Sequence, residues 1–162
     1  MSNRDRTAEW NDLRERYLKS ADQRSETTAR GVHHQALLCS DVESTIKFYD
    51  GILGFPLIDL FENRDYDGST HFFFDIGNGN TLAFFDFPGL GLESYREVLG
   101  GHHHLAISMA RPEWESIRDR LHQAGVDTKE MSGSSLYFSG PDGERLELIS
   151  DSLGEMYGSR LL

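Results

Sequence analysis

The strongest constraint on this chain is that one order of elements occurs twice. His34-Gln35-Ala36 lies over His104-Leu105-Ala106, and Gly79-Asn80-Thr81-Leu82-Ala83 lies over Gly143-Glu144-Arg145-Leu146-Glu147, so both ends of a unit recur. In the first copy a strand at 32–39 ends at Ser40, which with Glu43 makes a Ser-x-x-Glu capping box. It opens a helix through Val42, Thr45, Ile46, Tyr49 and Leu53, closed by Gly54. Strands follow at 56–62, 70–76 and 81–87, the last two joined by the tight turn Gly77-Asn78-Gly79-Asn80. In the second copy a strand at 102–109 leads to a helix that Pro112 starts and Gly125 stops, with Trp114, Ile117, Leu121 and Ala124 on one face. Strands at 126–131, 135–139 and 145–150, with a Pro141-Asp142-Gly143 turn before the last, complete a second β-α-β-β-β unit.

The organisation is an N-terminal extension at 1–30, a paired-unit domain at 31–150 (units 31–88 and 101–150) and a tail at 151–162. The extension carries Trp10, Leu13, Tyr17 and Leu18 at helical spacing, which predicts a helix lying on the domain or on a partner subunit. A partly disordered extension is the alternative. Residues 20–30 read as a polar linker, and Met156, Tyr157, Leu161 and Leu162 are expected to dock the tail.

Five of the seven histidines head the two first strands. Side chains alternate along a strand, so His34, Ala36 and Leu38 share one face, as do His104, Ala106 and Ser108, and as do Arg145, Glu147 and Ile149. Two imidazoles and one carboxylate can thus converge on a sheet. A register shift of one residue would turn His33 and His103 inward instead.

A formal charge of -11 argues against nucleic acid as a partner, because phosphate binding needs clustered Lys and Arg. The single cysteine, Cys39, makes no internal disulfide, and no apolar run reaches the roughly 20 residues of a membrane span. The N-terminus, with Asn3, Arg4, Asp5 and Glu9, lacks the apolar core of a signal peptide. These features predict a cytoplasmic protein with no membrane partner.

His34 seven residues before Asp41, Phe48-Tyr49 followed by Leu53-Gly54-Phe55, and Phe138 followed by Pro141-Asp142-Gly143 and Leu146-Glu147-Leu148-Ile149 together resemble the vicinal oxygen chelate superfamily. That superfamily holds glyoxalase I, extradiol ring-cleaving dioxygenases, fosfomycin-resistance transferases, methylmalonyl-CoA epimerase and the metal-free bleomycin-sequestering proteins. The resemblance spans roughly Val32 to Ser150. It implies an α+β fold of paired β-α-β-β-β modules forming a cup-shaped mixed sheet around a divalent metal. It implies metal ligands at His34, His104 and Glu147, while the fourth family position falls on Ala83, which cannot ligate. Three ligands leave coordination positions for a substrate with two adjacent oxygens and for dioxygen, the pattern of the dioxygenase and fosfomycin-resistance branches.

The expected function is therefore a mononuclear, Fe(II)-dependent dioxygenase acting on a small molecule. The alternatives are a glyoxalase-like lyase or isomerase or a thiol transferase using Mn(II), Ni(II) or Zn(II), and, in another class, a metal-free drug-binding protein. His71 and Tyr137 are the candidate acid–base groups, each with an ordinary structural role as its competitor. His33, His102 and His103 receive no ligand role, although one of them is suited to orienting a ligating imidazole. Phe73, Phe84, Phe85, Phe87 and Phe138 are divided between core and a pocket for an aromatic or apolar substrate, and residues 62–66 form a charged loop, either a solvated hairpin loop or one that gates the site. The resemblance also implies a homodimer, with modules paired within one chain or exchanged between two.

Overall fold

The structure, a computed structural model, describes residues 5–156, 159 and 160, and the chain divides into two compact units, residues 1–30 and 31–161. In the first unit α1 (Thr7–Tyr17) forms, its start held by Asp5, which accepts from the Thr7 amide at 2.9 Å. None of its residues is buried; Trp10, Leu13 and Tyr17 all stand exposed. Among the described residues no helix is long and apolar enough to cross a membrane.

The second unit contains the repeat. Strand β1 (His34–Leu38), helix α2 (Val42–Ile46), β2 (Leu57–Glu62), β3 (Thr70–Asp75) and β4 (Thr81–Phe85) make a sheet of order β1-β4-β3-β2. Strand β5 (Leu105–Ser108), helix α3 (Arg111–Gln123), β6 (Thr128–Met131), β7 (Ser135–Ser139) and β8 (Arg145–Ile149) make another of order β5-β8-β7-β6. In both, the first and last strands are parallel and the remaining pairs antiparallel. The paired β-α-β-β-β architecture is as the sequence predicts. Beyond it, β9 (Glu155–Met156) pairs with β10 (Ser159–Arg160); Tyr157, Leu161 and Leu162, expected to dock, lie outside the described residues.

Alternation explains the packing. One face of the first sheet offers Phe72, Phe74, Leu82 and Phe84, and one face of the second offers Leu136, Phe138, Leu146 and Leu148; all are buried in a single cluster with Phe48, Tyr49, Trp114 and Leu121. Polar contacts between the modules cross it. The Tyr49 hydroxyl donates to Glu144 Oε1 at 2.7 Å, the Ser40 amide donates to Asp142 Oδ2 at 3.0 Å, and Arg120 donates to the carbonyls of Ile52 and Leu53 at 2.7 and 3.0 Å. The modules thus share one core on one side, and each leaves its other sheet face for chemistry.

Three local expectations are corrected. The Ser40 capping box does not form: Asp41 is the N-cap, accepting from the Ser44 amide at 2.7 Å, because Ser40 is engaged by Asp142 of the other module. The helix does not run uniformly to Leu53 but ends in a π-helical turn, Lys47–Ile52, in which the Leu53 amide reaches back to the Phe48 carbonyl. Arg120 caps that turn from the other module. The second first strand begins at Leu105 rather than 102, since the Tyr95 hydroxyl donates to the carbonyls of His102 and His103 and takes them out of the ladder. The hairpin turn is as expected: Asn78 and Gly79 have φ of 54° and 72°, the left-handed pair that such a turn needs.

Candidate metal centre

Register places the candidate residues. Ala36, Ala83 and Phe73 are cross-strand neighbours in the first sheet, and Ala106, Glu147 and Tyr137 are their counterparts in the second. All lie on the faces opposite the shared core.

On the second face His104 and Glu147 meet, with Nε2 2.9 Å from Oε2. Glu147 sits mid-strand and only 5% exposed, where a lone carboxylate would be costly. The Tyr137 ring stands edge-on to His104 at 5.6 Å, and the Arg145 guanidinium lies over that ring at 5.0 Å. Arg145 in turn donates to Glu97 Oε1 at 3.0 Å. Beside these groups a groove of about 500 Å3 is lined by Lys129, Tyr137, Ser139 and Arg145.

On the first face His34 lies among aromatic rings. Its ring is 6.5 Å from Phe73, and a contiguous wall follows: His71 stacks on Phe85 at 3.8 Å and leans on Phe73 at 4.3 Å, Phe61 touches both His71 and Phe73, and Phe85 stacks on Phe87 at 6.1 Å. Burial, and secondarily the nearby His34, push the His71 pKa down, which favours the uncharged imidazole. His71 Nε2 is buried with no hydrogen-bond partner among the described residues. Phe84 and Phe138 belong to the core, whereas Phe73, Phe85 and Phe87 belong to the wall. The 62–66 loop is pinned at its base: Asn63 is buried and donates to Ser69 Oγ at 3.1 Å, and Glu62 accepts from the Gly68 amide at 3.0 Å.

One chain thus brings two of the three expected ligands together. Among the described residues no three His, Cys, Asp or Glu side chains gather closely enough to hold a metal ion, and His34 lies apart from His104 and Glu147. The donor set nonetheless fits a divalent cation: a buried carboxylate faces an imidazole nitrogen on one half, and a solvent-accessible imidazole heads the other. A larger cavity of about 530 Å3 opens elsewhere, between Gly54, Pro56 and the α3 residues Glu113, Ser116 and Arg120, and includes none of these groups. Sequence reasoning assigned no role to Tyr95, Glu97 or Phe61. Of these, Phe61 is placed by the antiparallel pairing of β2 with β3, which sets it across from His71.

Comparison with known proteins follows the same lines. Residues 31–148 match the family described as the Glyoxalase/Bleomycin resistance protein/Dioxygenase superfamily. The chain is 24% identical over 139 residues to a metallothiol transferase FosB of Lysinibacillus sphaericus, covering 78% of this chain and 86% of the relative. A glyoxylase/bleomycin resistance protein/dioxygenase domain from Frankia sp. EAN1pec shares the fold with a TM-score of 0.66 at 22% identity, covering 77% of this chain and all of that one. So does a mutant of the fosfomycin resistance protein FosX of Listeria monocytogenes, complexed with Mn(II) and 1S,2S-dihydroxypropylphosphonic acid (TM-score 0.59, 23% identity, 76% and 94% covered).

Proposed function

The chain belongs to the Glyoxalase/Bleomycin resistance protein/Dioxygenase superfamily, and from that premise we propose that it is a cytoplasmic, metal-dependent enzyme whose site is assembled from two copies. His34 of one copy and His104 with Glu147 of the other hold a divalent ion, and a two-fold pairing makes two such sites. The observation that carries this reading is the division of the ligands: His104 touches Glu147, while His34 stands apart on the outward face of the other sheet. A second chain supplies what each half lacks.

When bound, the ion supplies Lewis acidity towards two adjacent oxygens of a small substrate. The aromatic wall of Phe61, His71, Phe73 and Phe85 covers the apolar part of that substrate and excludes water from it. His71, whose buried Nε2 has no hydrogen-bond partner among the described residues, takes a proton at that nitrogen. The Tyr137 hydroxyl, with its ring braced by Arg145, donates a hydrogen bond on the opposite side.

The reaction class that suits an aromatic wall is oxidative cleavage of a vicinal diol, with Fe(II) as the ion and both atoms of dioxygen ending in the ring-opened product. A second reading, transfer of an external thiol using Mn(II), Ni(II) or Zn(II), is supported by the likeness to FosB over most of both chains and by the groove carrying Lys129 and Arg145, suited to an anionic substrate. Protein purified without oxygen or chelators is expected to carry about one ion per chain, lost in His34→Ala and in His104→Ala. Oxygen uptake with catechols supports the first reading; thiol consumption with fosfomycin and no oxygen uptake replaces it with the second. Absence of metal from wild type and variants alike would contradict both and leave a metal-free binding protein.

A further inference from the structure

The histidines preceding the two imidazole ligands repeat one contact. His103 Nδ1 lies 2.6 Å from His104 Nδ1, and His33 Nδ1 lies 3.0 Å from His34 Nδ1, with the rings edge to face in both pairs at 72° and 80°. Adjacent strand residues point to opposite faces, so contact between their rings is not a consequence of alternation. In the second module the Tyr95 hydroxyl donates to the carbonyls of His102 and His103 and β5 starts only at Leu105, whereas in the first β1 starts at His34 and the His33 carbonyl still accepts from the Thr81 amide at 3.3 Å.

Resting on the metal-site reading above, we propose that His103 and His33 are positioning residues that fix which nitrogen of His104 and His34 faces the metal. His104 presents Nε2 to Glu147. With Nε2 ligating, the ring hydrogen sits on Nδ1 and is donated to Nδ1 of His103, which accepts it because its own hydrogen is on Nε2. That second nitrogen faces the Arg145–Glu97 pair, 3.8 Å from Glu97 Oε1 and 3.5 Å from Arg145 Nη1. The row Glu147–His104–His103–Glu97 thus alternates acceptor and donor from the buried site to an exposed carboxylate. Among the described residues His33 has no equivalent anchor behind it, so its hold on His34 is the weaker of the two.

The test uses Mn(II) titration followed by electron paramagnetic resonance, together with 15N–1H spectra of the histidine rings in the Zn(II)-loaded protein. His103→Leu is expected to weaken Mn(II) about tenfold or more, since loss of a ligand-orienting partner usually costs 10–100-fold. His103→Asn, whose side-chain oxygen can accept where Nδ1 did, is expected to recover most of the affinity. The slowly exchanging Nδ1–H signal of His104 is expected in wild type and His103→Asn and to vanish in His103→Leu, with His33→Leu giving a smaller loss of affinity. Unchanged affinity in His103→Leu, or no recovery in His103→Asn, would overturn the proposal. If His104→Ala also binds Mn(II) like wild type, the metal reading itself falls and this one with it, an outcome distinguishable from the first. His103 is exposed at the surface, so the variants are expected to fold.

Discussion

The two modules have the same topology and register but opposite working faces. Where the second has Glu147, Tyr137, Arg145 and Ser135, the first has Ala83, Phe73, Thr81 and His71 at the equivalent ladder positions. The histidine at the head of the first strand and the alanine two residues on, Ala36 and Ala106, are common to both. The two copies of the unit thus differ as a polar face bearing His104 and Glu147 and an aromatic face bearing His34. The halves share a core through their other faces, so His34 and the His104–Glu147 pair lie on separate outward faces of one chain, and the proposed site joins them between two copies.

Making the halves alike is the most drastic way to break this contrast. Ala83 is fully buried between Ala36 and Phe73, so Ala83→Glu places an uncompensated carboxylate there and is expected to cost about 3 kcal/mol or more by urea denaturation without metal. If an added divalent ion restores the loss, the variant carboxylate is a fourth ligand; a loss below 1 kcal/mol would show the two faces to be interchangeable.

Cutting the tie between modules comes next. Tyr49→Phe leaves Glu144 Oε1 buried without its donor and is expected to cost about 1–3 kcal/mol in the same assay. Burial raises the Glu144 carboxyl above its ordinary 4.5 despite the hydrogen bonds from Tyr49 and the turn amides. A raised acid binds its proton more tightly in the folded state, so its contribution is full below 4.5 and is lost as pH rises through the raised value. Wild type should therefore lose stability relative to Glu144→Gln on going upwards from pH 4.5, and a parallel pair of stability curves would contradict this.

The smallest effect belongs to Cys39, on the core side of the first module. Burial pushes its thiol up to about 12, leaving almost no thiolate at neutral pH. Folded protein should react with a thiol reagent only on unfolding, and Cys39→Ala should transfer an external thiol as fast as wild type if that is the reaction. Fast labelling of the native protein would give the chain a nucleophile of its own.

Much of this was legible beforehand. The repeat, the turn at Pro141-Asp142-Gly143 and the pairing of His104 with Glu147 are readable because alternation and turn chemistry are local. What could not be read depends on the other module. Asp41 caps α2 because Asp142 engages Ser40; β5 starts late because Tyr95, from the glycine-rich connection, takes two carbonyls; and the π-helical turn is capped by Arg120. The separation of His34 from His104 is of the same kind, since alternation tells which face a ligand occupies and not which face it meets.

The most direct measurement mixes two inactive proteins. His34→Ala and Glu147→Ala are each expected to bind no metal; co-refolded in equal amounts, they should regain roughly a quarter of the wild-type sites, because half of randomly paired dimers are mixed and each mixed dimer has one intact site of two. Mn(II) binding recovered to that level on mixing would establish a site shared between chains. No recovery, with both proteins folded and dimeric, would contradict it.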